Sequence, residues 1–280
     1  MQWRGRRGSD NIEDRRRQRS AVAPIGGVGL LALLAIGYFL GVDVRPLLEQ
    51  AAAPQGGGTA ELTEADRQVG EFVSVTLADT EQIWSEVFRE QVGRAYDPAT
   101  LVLFKGVTSS PCGSASGATG PFYCPNDRKV YLDTDFFTTM ARQLGAGGDF
   151  AAAYVVAHEV AHHVQHELGV LNQANAVRAQ AGQAESNAIS VRIELQADCF
   201  SGIWARHAEE RIGAIEPGDL EEAVNAARQI GDDTLQRNAG RVPQPHTFTH
   251  GTSEQRARWF AIGYRTGDLR ACDTFSAQTL

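Results

Sequence analysis

Apolar residues recur at three- and four-residue steps from Leu62 onward. Val69, Phe72, Val73, Leu77, Ile83, Trp84, Val87 and Phe88 fall on one stripe, which predicts an amphipathic helix. Two short apolar runs follow, "LVLFKGV" at 101–107 and "RKVYLD" at 128–133. Both read as strands, and the glycine-rich stretch between them reads as a loop. Helical spacing then dominates. Asp149 is a candidate N-cap for a helix from Phe150 to about Leu168, with Gly169 as its stop. The stretch at 172–188 is polar and alanine-rich, helical but poorly anchored. A further helix is expected from about Ser186 to Ala208, and another from Asp219 to about Arg237. Thr252 with Gln255 forms a capping-box pattern that opens the last helix. The expected class is α+β, mostly helical with a few short strands.

Residues 21–42 break this pattern. They carry no charge for 22 residues, and as a helix they would extend about 33 Å, against a bilayer core of about 30 Å. One N-terminal transmembrane helix is therefore expected ahead of the globular part. A cleaved signal peptide fits less well, because both the apolar region and the charged leader are long, although Ala51, Ala52 and Ala53 would serve as a cleavage site. Seven arginines precede the span. Against Asp10, Glu13 and Asp14 they give a local net charge of +4. By the positive-inside rule this places an Arg-rich N-terminus, 1–20, in the cytoplasm and the rest outside it. The expected product is a single-pass protein of the bacterial cell membrane, with a Pro/Gly/Ala linker at 43–60 and an extracytoplasmic domain at 61–280.

The whole chain has a net charge of −8, so the part beyond residue 42 carries −12. An acidic main domain argues against nucleic acid as a partner. Four cysteines suit an oxidising compartment, and three pairings are open. Cys112 with Cys124 is the local option. Cys199 with Cys272 would then tie the C-terminal tail to a central helix. With no CxxC pair, a cysteine-based zinc site is disfavoured.

Four of the seven histidines lie within "AYVVAHEVAHHVQHELG", residues 153–169. His158-Glu159-Val160-Ala161-His162 is an HExxH. Residues four apart share a helix face, so both imidazoles can converge on one ion. Glu159, about 100° round the helix, can flank the metal and take a proton from water there. At this chain's His and Glu content about 0.01 such matches arise by chance, which favours a metal site over a solvated histidine-rich helix. His163 and His166 fall outside this geometry and are expected at the surface or behind the ligands.

A catalytic zinc takes three protein ligands and leaves a fourth position open. The metzincin spacing would need Gly at 165 and His at 168, where this chain has Gln165 and Leu168. A glutamate from a second helix is the next option, and Glu194 in "RIELQADCFSG" is the choice. Asp198 lies four residues on, on the same face, and could accept an N–H from a ligating imidazole. Small residues along that face (Ser190, Ser201, Gly202, Ala205) suit close approach by another helix. Glu185, Glu209, His207 and His246 are weaker candidates for the third ligand. Charge developing on a scissile carbonyl needs a donor, and His250, next to Gly251, is favoured over His246.

Together "MQWRGRRGSDNIEDRR", "HEVAHHVQ", "ELQADCFSGIWA" and "FTHGTSEQRARWF" resemble the family of putative neutral zinc metallopeptidases of bacteria, over nearly the whole chain to about Cys272. The resemblance implies a zincin-like, minimal gluzincin domain. It implies one Zn2+ per chain on His158, His162 and Glu194, with Glu159 as general base, and it supports Asp198 behind the ligands. The expectation is a membrane-anchored zinc metalloendopeptidase acting on a peptide or protein substrate, which could add as a strand along 101–107. The alternative is a non-hydrolytic zinc-binding envelope scaffold.

Overall fold

The computed structural model of the chain describes residues 1–18, 61–116 and 120–280. Met1–Arg15 and Leu62–Leu280 form one compact unit, and Arg16–Glu61 form another that lies almost wholly outside the described residues.

The first unit is mostly helical with a few short strands. Its four-stranded sheet runs in the order β1 (Ile12–Asp14), β2 (Thr100–Phe104), β6 (Lys129–Asp133), β5 (Phe122–Cys124). β2 is parallel to both β1 and β6, and β5 is antiparallel to β6. The run at 101–107 is thus not a sheet edge. β2 has a neighbour on each side, and the chain turns at Gly106, φ +87°, into a separate hairpin of β3 (Val107–Ser110) and β4 (Gly113–Ser116). β1 and β5 are the edge strands, and a disulfide joins Cys124 at the end of β5 to Cys112.

Among the described residues there are eight α-helices: α1 (Glu64–Val87), α2 (Asp135–Gln143), α3 (Asp149–Glu167), α4 (Val170–Arg178), α5 (Gln183–His207), α6 (Asp219–Gln229), α7 (Asp232–Asn238) and α8 (Ser253–Thr266). α3 is the central one. Its run from Phe150 to Ala161 is buried on every side, which is why its sequence shows little amphipathic period. Gly148, not Asp149, occupies its N-cap, and Asp149 begins the helix. The single helix expected over 219–237 is broken at Gly231. A Cβ there would come within 2.4 Å of the Ser253 backbone nitrogen, so only glycine lets the start of α7 approach the start of α8. Thr252 and Gln255 do form the capping box of α8.

α5 lies against both α3 and α8. Its small residue Gly202 meets α8 rather than α3: a Cβ at Gly202 would stand 2.0 Å from the Phe260 carbonyl oxygen, and one at Gly263 would stand 1.8 Å from that of Cys199. This close crossing carries α8 over the middle of α5. The Cys199–Cys272 disulfide closes the same interface, with Cα atoms 5.6 Å apart.

The structure contradicts the membrane topology expected from the sequence. Among the described residues no helix is long and apolar enough to cross a membrane, and the expected span at 21–42 lies outside them. The physical objection comes from residues 1–15. β1 hydrogen-bonds alongside β2, Trp3 is buried edge-on against Phe72, and Arg6 pairs with Asp79 of α1. The amino group of Met1 stands 2.7 Å from Asp149 and 3.3 Å from Asp219. A segment woven into the domain cannot lie across a bilayer from it. The single-pass anchor, the cytoplasmic N-terminus with an extracytoplasmic domain, and the membrane as a partner therefore conflict with this fold.

Candidate metal centre

One helical turn of α3 separates His158 from His162, and their ring centroids are 4.9 Å apart. On α5, Glu194 and Asp198 are likewise one turn apart and face α3. Glu194 Oε2 lies 3.1 Å from His158 Nε2, and Oε1 lies 3.5 Å from His162 Nε2. One ligand atom from each of the three residues falls within 4.8 Å of the others. Two atoms each about 2.0–2.1 Å from a tetrahedral ion stand about 3.3 Å apart, so these separations suit zinc, and two imidazoles with one carboxylate are a donor set it accepts.

The charges point the same way. Glu159, Glu194 and Asp198 bring three carboxylates to the site, and Arg256 pairs with Asp198. Burial pushes the Glu159 carboxyl above its ordinary value. Burial also opposes the charge on Glu194, but His162 and His158 beside it outweigh this and hold it well below the usual range. For His158, burial works against the cation, yet Asp198 and Glu194 on its two sides raise its pKa to about 9. The cluster attracts positive charge.

Behind this cluster, Asp198 is fully buried. Its Oδ1 lies 3.0 Å from His158 Nδ1 and accepts from the Tyr154 hydroxyl at 2.5 Å. Arg256 of α8 donates to it through Nε at 2.8 Å and Nη2 at 2.9 Å. On His162 the matching position is taken by Gln165, whose Oε1 is 2.9 Å from Nδ1.

His250 lines the same cleft, half-exposed, in the loop before α8. Asp232 at the start of α7 organises that loop. Its Oδ2 accepts the backbone N–H groups of Thr249, His250 and Gly251 at 2.8, 2.6 and 3.0 Å, and its Oδ1 is 3.3 Å from His250 Nδ1. The Asp232 contact raises the pKa of His250. Gly251 has φ +89°, a conformation side chains disfavour. His246 sits outside the cleft, its carbonyl accepting from Asn187. His163 is buried rather than at the surface. Its nitrogens meet the Tyr123 hydroxyl and the Asp97 carbonyl, and so tie α3 to the sheet.

The cleft, about 570 Å³, runs between β5 and α4, with His158, Glu159, His162 and Glu194 on its walls. Four residues escaped sequence reasoning: Tyr154, Gln165, Asp232 and Arg256. Tyr154 and Gln165 stand at −4 from His158 and +3 from His162, so helical spacing could have found them. Asp232 and Arg256 reach the site from distant helices, with no local signal.

A family model described as putative neutral zinc metallopeptidase matches residues 1–275. The chain belongs to this family. It is 45% identical over 287 residues to a protein of Escherichia coli (strain K12) named as uncharacterized protein YpfJ, a match covering 98% of this chain and 99% of the relative. It is also 41% identical over 227 residues to the uncharacterized proteins Mb2605 of Mycobacterium bovis and Rv2575 of Mycobacterium tuberculosis, covering 78% of this chain and 74% of each. No solved structure matches. Membership of the zinc metallopeptidase family and the His158–His162–Glu194 cluster together suggest a metallopeptidase.

Proposed function

We propose that the chain is a zinc-dependent peptidase that hydrolyses peptide bonds in the cleft between β5 and α4. The observation that carries this reading is the convergence of His158, His162 and Glu194 from two helices, with Glu159 beside them in the cleft wall. Zinc held there would polarise a scissile carbonyl and lower the pKa of a water to about 7.

The remaining work falls to side chains. Glu159, whose proton affinity burial raises, takes the proton of the attacking water as its oxygen bonds to the carbonyl carbon. It then delivers that proton to the amine nitrogen as the C–N bond breaks. His250, held by Asp232, donates to the carbonyl oxygen as negative charge builds there. Asp198 accepts from His158 Nδ1 and keeps Nε2 turned to the ligand cluster. β5, the sheet edge beside the cleft, is the element on which an extended peptide would lie.

The test is cleavage of a peptide library by the zinc-loaded chain and by its Glu159→Gln variant. Products from the first that are missing from the second, with equal zinc content in both, are the expected result. Equal products from both would remove Glu159 from the reaction. No products from either, with zinc bound, would favour the non-hydrolytic scaffold.

A further inference from the structure

A buried amide side chain has two unlike ends, and the end it presents to a histidine decides which ring nitrogen carries the hydrogen. Gln165 is such an amide. It is fully buried on α3, one turn beyond His162. Its nitrogen is committed elsewhere: it donates to the Ile193 carbonyl at 2.8 Å and to Gln196 Oε1 at 3.0 Å. A backbone carbonyl only accepts, so the nitrogen must face Ile193 and the oxygen must face His162. Gln196 is fixed in the same manner, because its nitrogen donates at 3.0 Å to the carbonyl of Cys272, which the disulfide holds to α5. Two backbone carbonyls thus set the polarity of the whole chain of bonds.

At its end, Gln165 Oε1 can only accept from His162 Nδ1. The hydrogen on Nδ1 is thereby accounted for, and Nε2 is the nitrogen turned to Glu194 and the ligand cluster. We propose that Gln165 is a positioning residue, which fixes His162 as its Nδ1–H tautomer with Nε2 presented for metal binding, and which takes its own orientation from Ile193 and from the Gln196–Cys272 link. The inference rests on His162 being a zinc ligand. It also accounts for a neutral partner at this position. Glu159, Glu194 and Asp198 already crowd the site with carboxylates, and an amide accepts from imidazole without adding a fourth charge.

Two variants separate positioning from packing. Gln165→Met removes acceptor and donors alike at similar volume, whereas Gln165→Glu keeps the acceptor and loses both donors. Two properties are read: which His162 nitrogen carries hydrogen, by long-range proton–nitrogen NMR of the zinc-loaded chain, and zinc affinity, by competition with a chromophoric chelator. The wild type is expected to show Nδ1–H alone. Gln165→Met should mix the tautomers and weaken zinc by roughly 10–100-fold, while Gln165→Glu keeps the Nδ1–H form and binds zinc more tightly than Gln165→Met. Equal losses in the two variants would make Gln165 a packing residue and overturn the proposal. So would a wild type that is Nε2–H, a result that needs no variant to fold. His162→Ala is the separate check: unchanged zinc affinity there would sink the ligand assignment itself, whereas lost affinity there with an unaffected Gln165→Met would sink only the positioning role.

Discussion

Asp198 gathers three side chains onto one fully buried carboxylate: Arg256, Tyr154 and His158. With a metal bound, His158 is neutral, so removing Arg256 leaves a buried charge unpaired, which typically costs about 3–5 kcal/mol. Arg256→Met should therefore lower the unfolding free energy of the zinc-loaded chain by about that amount in urea titrations. A loss below about 1 kcal/mol would mean that Asp198 takes up a proton instead and that Arg256 is dispensable to it. This residue-scale picture was only partly legible in the sequence. His158, Glu159 and His162 obey a rule of helical spacing that needs no tertiary knowledge. Glu194 and Asp198 could be picked out as carboxylates one turn apart on the next long helix. Arg256 could not, because it meets Asp198 across 58 residues of chain, through a helix crossing set by Gly202 and Gly263.

Among the elements, the two disulfides offer a comparison with a defined direction. Cys112–Cys124 spans 12 residues and Cys199–Cys272 spans 73. Loop-closure entropy grows with the logarithm of loop length, so the longer bridge should contribute about 1–2 kcal/mol more. Replacing each pair by serine and comparing urea midpoints checks this, and a larger loss from the Cys112/Cys124 pair would reject the entropic account. The apolar runs of β2 and β6 were readable from composition alone. Their order in the sheet was not, because a run of buried residues does not say whether neighbours flank it on one side or two. The sequence therefore does not distinguish 101–107, which begins in an inner strand, from an edge such as β5. The break at Gly231 was hidden for a related reason: it answers to Ser253 of another helix, not to its own neighbours.

For the molecule as a whole, the decisive feature is that residues 1–15 belong to the same unit as 62–280. The arginines that suggested a cytoplasmic leader are partly spent on this docking, Arg6 most clearly, which donates to Asp79 Oδ2 at 2.9 Å and also pairs with its other oxygen. Asp79 is nonetheless so enclosed that burial outweighs the arginine and lifts its pKa from 3.8 to about 6. The sign of the consequence follows. The folded chain holds this proton more tightly than the unfolded chain, so the stability it contributes is full below pH about 4 and is lost as pH rises through about 6. The loss is on the order of 3 kcal/mol, from about 1.4 kcal/mol per unit. Asp79→Asn has no proton to lose. Relative to the wild type, its urea midpoint should therefore improve between pH 4 and pH 7, whatever the other carboxylates do, since their titration is common to both proteins. A gap that stays constant, or that moves toward the wild type, would mean that the Arg6 pair overcomes burial. Asp79 would then be ionised throughout, and the N-terminal segment would be clamped by a net favourable ion pair rather than one held at a cost.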